Sequence, residues 1–192
     1  MVTRRRASGP VALSHGFPPI ARAGARILIL GSLPGRKSLE MSQYYAQPQN
    51  GFWRIMDRLF DAGPSQPYEV RLARLQAAGV AVWDVLAAGA RSGSLDSDIV
   101  TSSIVINDFA TFFERYPEIR LVCFNGAKAA ELYRRRVLPT LAPAIAAVET
   151  RLLPSTSPAN ASIKFDDKLA RWASALGLTV DEQRNAERSF RR

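Results

Sequence analysis

Cys123 is the single cysteine of the chain and His15 its single histidine. An internal disulfide, a Cys/His zinc site and a thiolate-held iron–sulfur cluster therefore cannot be built from its own residues. A Ser-His-Asp or Cys-His nucleophile system would have to recruit His15, which lies in the stretch SHGFPPI ahead of any recognisable element. No metal site and no cofactor are expected. What remains for chemistry is amides, hydroxyls, carboxylates and tyrosines in a few loops. An amide offers both donors and an acceptor, although it is a poor general base. Asp84, Asp96 and Asp98 can accept a proton or an N–H, and the Ser/Gly setting of the last two favours loop capping. Pro154-Ser-Thr-Ser-Pro-Ala-Asn160 supplies the hydroxyls of Ser155, Thr156 and Ser157 and backbone N–H groups ahead of a helix, a suitable arrangement for pinching phosphates. Ser32, Lys37 and Ser38 are further candidates for phosphate contact.

Charge points to the kind of partner. The chain of 192 residues carries 26 Lys and Arg against 17 Asp and Glu, a net charge of +9. Setting aside Arg4, Arg5 and Arg6 and the last twelve residues, with four Arg against three acidic groups, leaves 19 basic against 14 acidic residues in 7–180. The body is basic as well as the ends, which favours nucleic acid as partner over a merely solubilising surface. At 47% apolar and 22% charged residues the chain has the means for one packed core. No apolar run approaches the eighteen or more residues that span a bilayer, and no apolar segment follows the charged start MVTRRRASGP. A soluble, cytoplasmic protein is expected.

The elements that must position these loops alternate between strand and helix. Arg26–Gly31 is a short apolar run rich in β-branched residues, as in a buried parallel strand. A long loop spans Ser32 to about Gln49. Phe52, Trp53, Ile55, Met56, Leu59 and Phe60 recur at helical spacing with Asn50 as candidate N-cap, predicting a helix over about 51–60. A second helix follows at 68–78, a strand at 80–85, a loop over 87–103, a helix at 108–115 and a third strand at 119–124. Asn125-Gly126 opens a helix to about 137, a fourth strand covers 148–153, and a helix runs over about 165–176. The order predicts a three-layer α/β/α sandwich around a short, mostly parallel four-stranded sheet, one domain over 11–179 with basic ends at 1–10 and 180–192. Phe52, Trp53, Phe109, Phe112, Phe113 and Trp172 fall on apolar helix faces and read as core, and Cys123 as an inert small hydrophobe.

In such a sheet, ligands bind outside the carboxyl ends of the strands, so the loops after Leu30, Val82, Phe124 and Leu153 should converge. Gly31-Ser-Leu-Pro-Gly35 has neither the G-x-G-x-x-G spacing of a dinucleotide fold nor the Lys-Ser/Thr of a P-loop. The loops GSLPGRKSLEMSQYYAQPQNGFW (31–53) and LPSTSPANAS (153–162) instead resemble the two active-site motifs of the uracil-DNA glycosylase superfamily, closest to its hypoxanthine-DNA (deoxyinosine) glycosylase branch. GVAVWDV (79–85), GSLD (93–96) and FNGAKA (124–129) follow in family order, so the resemblance covers roughly residues 15–176.

The resemblance implies a monofunctional glycosylase that flips a deaminated base out of DNA and hydrolyses its N-glycosidic bond with water. By motif position, Tyr45 is the ring beneath the flipped base, with neighbouring Tyr44 the next choice, and Asn50 is the catalytic residue that holds the attacking water. The base leaves carrying negative charge, so aimed donors matter more than a strong base. Leu33 stands where the mismatch-specific branch has a catalytic Asn and the main uracil branch an Asp. Leu153 stands where the second motif carries a His, so no imidazole serves the leaving base, and Gln47 offers a weaker donor where relatives often have His. Asp84 occupies the place of the main uracil branch's base-reading Asn, and either accepts from a base N–H such as N1–H of hypoxanthine or only caps its loop. Asn125 either faces the pocket or simply forms an Asn-Gly turn. The second loop lacks the large apolar wedge that relatives often insert into the vacated stack. The expected partner is DNA containing a deaminated base, bound by a monomer, with abasic-site repair enzymes acting downstream. Uracil as main substrate, and a non-catalytic binder of damaged or single-stranded DNA, stand as the alternatives.

Overall fold

Short apolar runs with no polar face can only be accommodated between two helical layers, and this arrangement organises the protein. A computed structural model describes residues 13–91 and 96–178; the basic ends and residues 93–95 of the GSLD motif lie outside the described residues. In chain order the elements are β1 (Leu13–His15), β2 (Ile27–Gly31), α1 (Arg36–Met41), α2 (Phe52–Phe60), α3 (Tyr68–Ala77), β3 (Val80–Asp84) and β4 (Leu86–Ala90). After two single turns come β5 (Val105–Ile106), α4 (Phe109–Arg115), β6 (Leu121–Asn125), α5 (Ala127–Leu132), α6 (Pro143–Ala146), β7 (Glu149–Leu153) and α7 (Phe165–Ala175). The helix begun by α5 widens into a π-type turn over Tyr133–Val137 before Pro139 ends it.

β3, β2, β6 and β7 form a four-stranded parallel sheet in that order. Register aligns Gly31 with Asp84, Leu30 with Phe124 and Asn125 with Leu153, so all four strands end at one level. On one face Trp83 packs against Phe109 and Phe112 of α4, and Phe124 and Phe109 close on Tyr133 just beyond α5. On the other face α2 joins α7 through Phe52 and Trp172, and α3 through Trp53 and Tyr68. The result is the expected α/β/α sandwich. Leu28, Ile29, Leu30, Ile55, Met56 and Trp172 have no exposed surface, and each such side chain contributes about 1.5–3 kcal/mol of burial. The aromatics assigned to the core are all buried.

Two segments differ from the sequence expectation. The 32–49 loop contains α1, a six-residue helix with Ser38 as its only buried residue. Its sequence carries no apolar periodicity, and Glu40 supports it by pairing with Arg36 and Lys37. The 87–103 loop contains β4, which pairs antiparallel with β1 and β5 in a second, three-stranded sheet. Its residues, Leu-Ala-Ala-Gly-Ala, have little strand propensity, and only its partners distant in sequence make it a strand. At the start of α2 the cap position is Gly51, while the Asn50 side-chain oxygen accepts from the Phe52 N–H at 2.9 Å.

Candidate active site

The level carboxyl ends of the parallel strands form the floor of a cavity of about 470 Å³. The loops after β2, β3, β6 and β7 all line it, and so does every residue expected at the site: Ser32, Leu33, Lys37, Ser38, Tyr45, Gln47, Asn50, Asp84, Asn125, Ser155, Thr156 and Ser157. Its size is that of a small-molecule pocket. His15 lies outside it, exposed on β1. No group of three or more His, Cys, Asp or Glu able to hold a metal occurs among the described residues.

Tyr44 and Tyr45 are adjacent yet do different things. Tyr44 is buried, its N–H donates to the Tyr68 hydroxyl, and its carbonyl accepts from the Trp53 indole at 2.8 Å. At Tyr45 the backbone enters the left-handed region, with φ of 53°, a conformation uncommon outside glycine that the surrounding packing must maintain. That reversal lays the Tyr45 ring on Phe52, with centroids 3.9 Å apart and planes 18° from parallel. One face of the ring is thereby covered, which leaves only the other for a ligand.

Asp84 ends β3 and is 3% exposed. Its Oδ2 has no hydrogen-bond partner among the described residues, and the Tyr45 hydroxyl, buried beside it, lies under the influence of the Asn125 amide. Both crowd Gly31, where a Cβ would stand 2.3 Å from Asp84 Oδ1 and 3.0 Å from the Tyr45 oxygen, so only glycine fits there. Burial, with the charge of Asp96 adding to it and Arg91 opposing, pushes the Asp84 carboxyl up to about 8. The Tyr45 phenol is raised as well, by burial first and then by the charge of Asp84.

The remaining polar residues tie the loops together. Asn125 clamps Thr156: its amide N–H donates to Thr156 Oγ1 and its oxygen accepts from the Thr156 N–H, both at 2.9 Å. The Thr156 carbonyl in turn accepts from the Gly51 N–H at 2.9 Å, fixing the second loop beside the start of α2. The bonds Asn125 makes to Thr156 use both ends of its amide, and so it offers less to a ligand than expected of a pocket residue. Gln47 is exposed at the rim, and its carbonyl accepts from the Asn50 N–H at 2.8 Å. Leu33 is buried, facing Gly89 of β4.

The expected phosphate contacts divide. Ser32 and Ser38 are only 6% and 5% exposed. The Ser32 hydroxyl donates to Asp96, and the Ser38 hydroxyl accepts from the Ala46 N–H. Thr156 is likewise buried and held by Asn125. Hydroxyls so engaged hold the loops in shape. Lys37, paired with Glu40 at 3.3 Å yet about half exposed, and the half-buried Ser155 and Ser157 are accessible.

Sequence reasoning missed Arg91 and Asn160, and it gave Asp96 no place in the site. Arg91 follows β4, lines the cavity and donates to the Pro34 carbonyl; its signal was hidden in the Ala/Gly stretch read as loop. Asp96 lines the same wall and receives the Ser32 hydroxyl. Asn160 donates to the Ser155 carbonyl at 3.2 Å while its own carbonyl accepts from Lys168, and its five-residue offset from Ser155 in the second motif was the available sign.

The profile of the uracil DNA glycosylase superfamily matches residues 18–176. The chain belongs to the uracil-DNA glycosylase superfamily. Within it the chain is similar to a protein named hypoxanthine DNA glycosylase from Methanosarcina acetivorans, with 40% identity over 77% of this chain and 89% of the relative. A protein of the same name from Methanosarcina barkeri is 37% identical over 84% of this chain and 97% of its own. A solution NMR structure of a Methanosarcina acetivorans protein, proposed in its description to be a uracil DNA glycosylase, superposes with a TM-score of 0.68 at 37% identity, covering 85% of this chain and 99% of that one. In this DNA glycosylase the cavity lies outside the carboxyl ends of the parallel strands. No helix among the described residues is long and apolar enough to cross a membrane.

Proposed function

We propose that this glycosylase removes hypoxanthine from deoxyinosine in DNA, leaving an abasic site for downstream repair enzymes, and that it acts as a cytoplasmic monomer. The observation that carries the reading is the convergence of Tyr45, Asp84 and Asn50 on one base-sized cavity outside the strand ends. Two relatives that bear the name hypoxanthine DNA glycosylase, similar over most of their length, support it.

The chemistry follows from the parts. Flipping a base out of the duplex costs a few kcal/mol, least at a weak or mismatched pair. Stacking on the open face of Tyr45 returns about 1–3 kcal/mol. Lys37, Ser155 and Ser157 are placed around the mouth to hold the backbone beside the flipped nucleotide. The Asn50 carbonyl is anchored on the Phe52 N–H, which fixes the amide, and a second lone pair on that oxygen is available to a water's proton. The water attacks C1′ as the base departs. No residue is asked to act as a strong base, because the sugar carbon becomes cation-like as the bond opens.

Incubation with labelled duplexes containing inosine, uracil or no lesion, followed by alkaline cleavage of abasic sites, tests the reading. Cleavage of the inosine strand ahead of the uracil strand is expected. Cleavage of uracil alone would make uracil the substrate, and tight lesion binding without cleavage would make the protein a sensor.

A further inference from the structure

The sequence leaves the departing base without an imidazole, since Leu153 holds that place, and the cavity has an acid in another position. We propose that Asp84 acts as a neutral carboxylic acid, donating its O–H to the carbonyl oxygen of the flipped base while its other oxygen accepts the adjacent ring N–H. The inference rests on the cavity being the base pocket. Its geometry comes from the site: a buried residue whose carboxyl Oδ2 is unpartnered among the described residues, pressed against Gly31 at the end of β3 and lining the cavity. An orphaned buried polar atom carries a desolvation cost until a ligand satisfies it.

Complementarity decides between the two protonation states. Hypoxanthine presents a lactam edge, N1–H beside C6=O. A neutral acid presents O–H beside C=O, and the two close a pair of parallel hydrogen bonds. A carboxylate has only acceptors and would set one of them against O6. Uracil and xanthine carry the same lactam edge, so the reader accepts deaminated bases as a class. Guanine and thymine share the edge also, and their exclusion falls to the cost of extracting them from well-paired duplex.

The same O–H assists the bond cleavage. As the C1′–N9 bond breaks, its electron pair passes into the base and part of that charge reaches O6. The water oxygen bonds C1′, the water releases a proton to solvent, and the departed base takes one from solvent. Asp84 keeps its proton throughout and lends it as a hydrogen bond that strengthens as O6 becomes negative. A carboxylate at this point would oppose the charge it faces.

The groups around Asp84 favour the neutral form. Asp96 faces it from the turn after β4 and adds negative charge, the buried Tyr44 and the partly buried Tyr45 approach from the loop after α1, and Arg91, whose charge opposes, donates to Pro34. Burial and Asp96 together outweigh Arg91, placing the carboxyl at about 8.

Single-turnover cleavage of an inosine duplex between pH 6 and 10 tests this with Asp84→Asn and Asp84→Ala. The wild-type rate should fall about tenfold per pH unit above the Asp84 transition. Asp84→Asn, whose amide always has a donor beside an acceptor, should keep a substantial rate and lose that limb, retaining only the one at higher pH from the base's own N1–H. Asp84→Ala should be slow throughout. Affinity for a duplex carrying purine in place of hypoxanthine, which lacks O6, should be weaker for the wild type and equal for Asp84→Ala. Superimposable pH profiles of wild type and Asp84→Asn, or a more active alanine variant, would overturn the proposal. If wild type releases nothing from inosine, the substrate assignment fails, and the profiles on a uracil duplex then decide the role of Asp84.

Discussion

Asn125 and Thr156 exchange two hydrogen bonds of 2.9 Å across the carboxyl ends of β6 and β7. Because Thr156 also receives the Gly51 N–H, one side chain on the sheet fixes both motif loops relative to each other. Preorganisation of this kind determines whether a water and a sugar meet at productive distance.

Asn125→Ala should therefore leave the Thr156 N–H and hydroxyl buried without partners and destabilise the protein by about 1–3 kcal/mol. Thermal unfolding would register the loss, together with faster proteolysis within residues 154–164. Thr156→Val keeps the N–H bond and should cost less. An Asn125→Ala protein with unaltered Tm and loop protection would show that the clamp does not hold the loop.

Replacing Asn50 separates its two jobs. Asn50→Ala should abolish most cleavage while DNA binding survives, and should cost about 0.5–2 kcal/mol through the lost bond to Phe52. Asn50→Asp preserves the anchoring oxygen, so its stability should match the wild type. Wild-type single-turnover rates in Asn50→Ala would remove Asn50 from the mechanism.

Tyr45→Ala should weaken lesion binding by about 1–3 kcal/mol through lost stacking. Tyr45→Phe retains the ring and should keep most of that affinity. Equal lesion affinity in all three proteins would place the stacking surface elsewhere.

Asp84 should make stability depend on pH in a definite direction. Its folded-state value, about 8, lies above the ordinary 3.8, so the native protein holds a proton that the unfolded chain releases in between. Stability contributed by this group is whole below about pH 4, declines as pH rises toward 8, and is level beyond. Asp84→Asn should consequently gain on the wild type across that window, by up to a few kcal/mol. Denaturant unfolding at pH 5 and pH 8 measures the gain, and a constant difference between the two would contradict the raised value.

The parallel sheet was legible because Ile27–Leu30, Val80–Val82 and Leu121–Phe124 are apolar runs that admit no other placement. Convergence of the loops followed from that topology. Less visible was anything decided by distant partners: β4 is a strand because β1 and β5 flank it, and α1 lacks a buried face. At the site the residue types were readable, while their engagements were not. Ser32 and Lys37 sit in one loop and looked alike as polar contacts, yet one is buried against Asp96 and the other reaches solvent. A hydroxyl's partner depends on tertiary approach, which local pattern does not encode.

Where the chain is cut for expression matters more than the family match suggests. That match begins at residue 18, yet Leu13–His15 pairs with Ala88–Ala90 in β4. A recombinant fragment started at residue 18 would uncover one side of β4 and leave a row of unsatisfied backbone groups, a template for pairing with other chains. Such a fragment should elute early and heterogeneously from a sizing column, where a version starting ahead of Leu13 stays monodisperse. Because β4 leads directly to Arg91 and its hold on Pro34, the trimmed protein should also carry a slackened pocket wall.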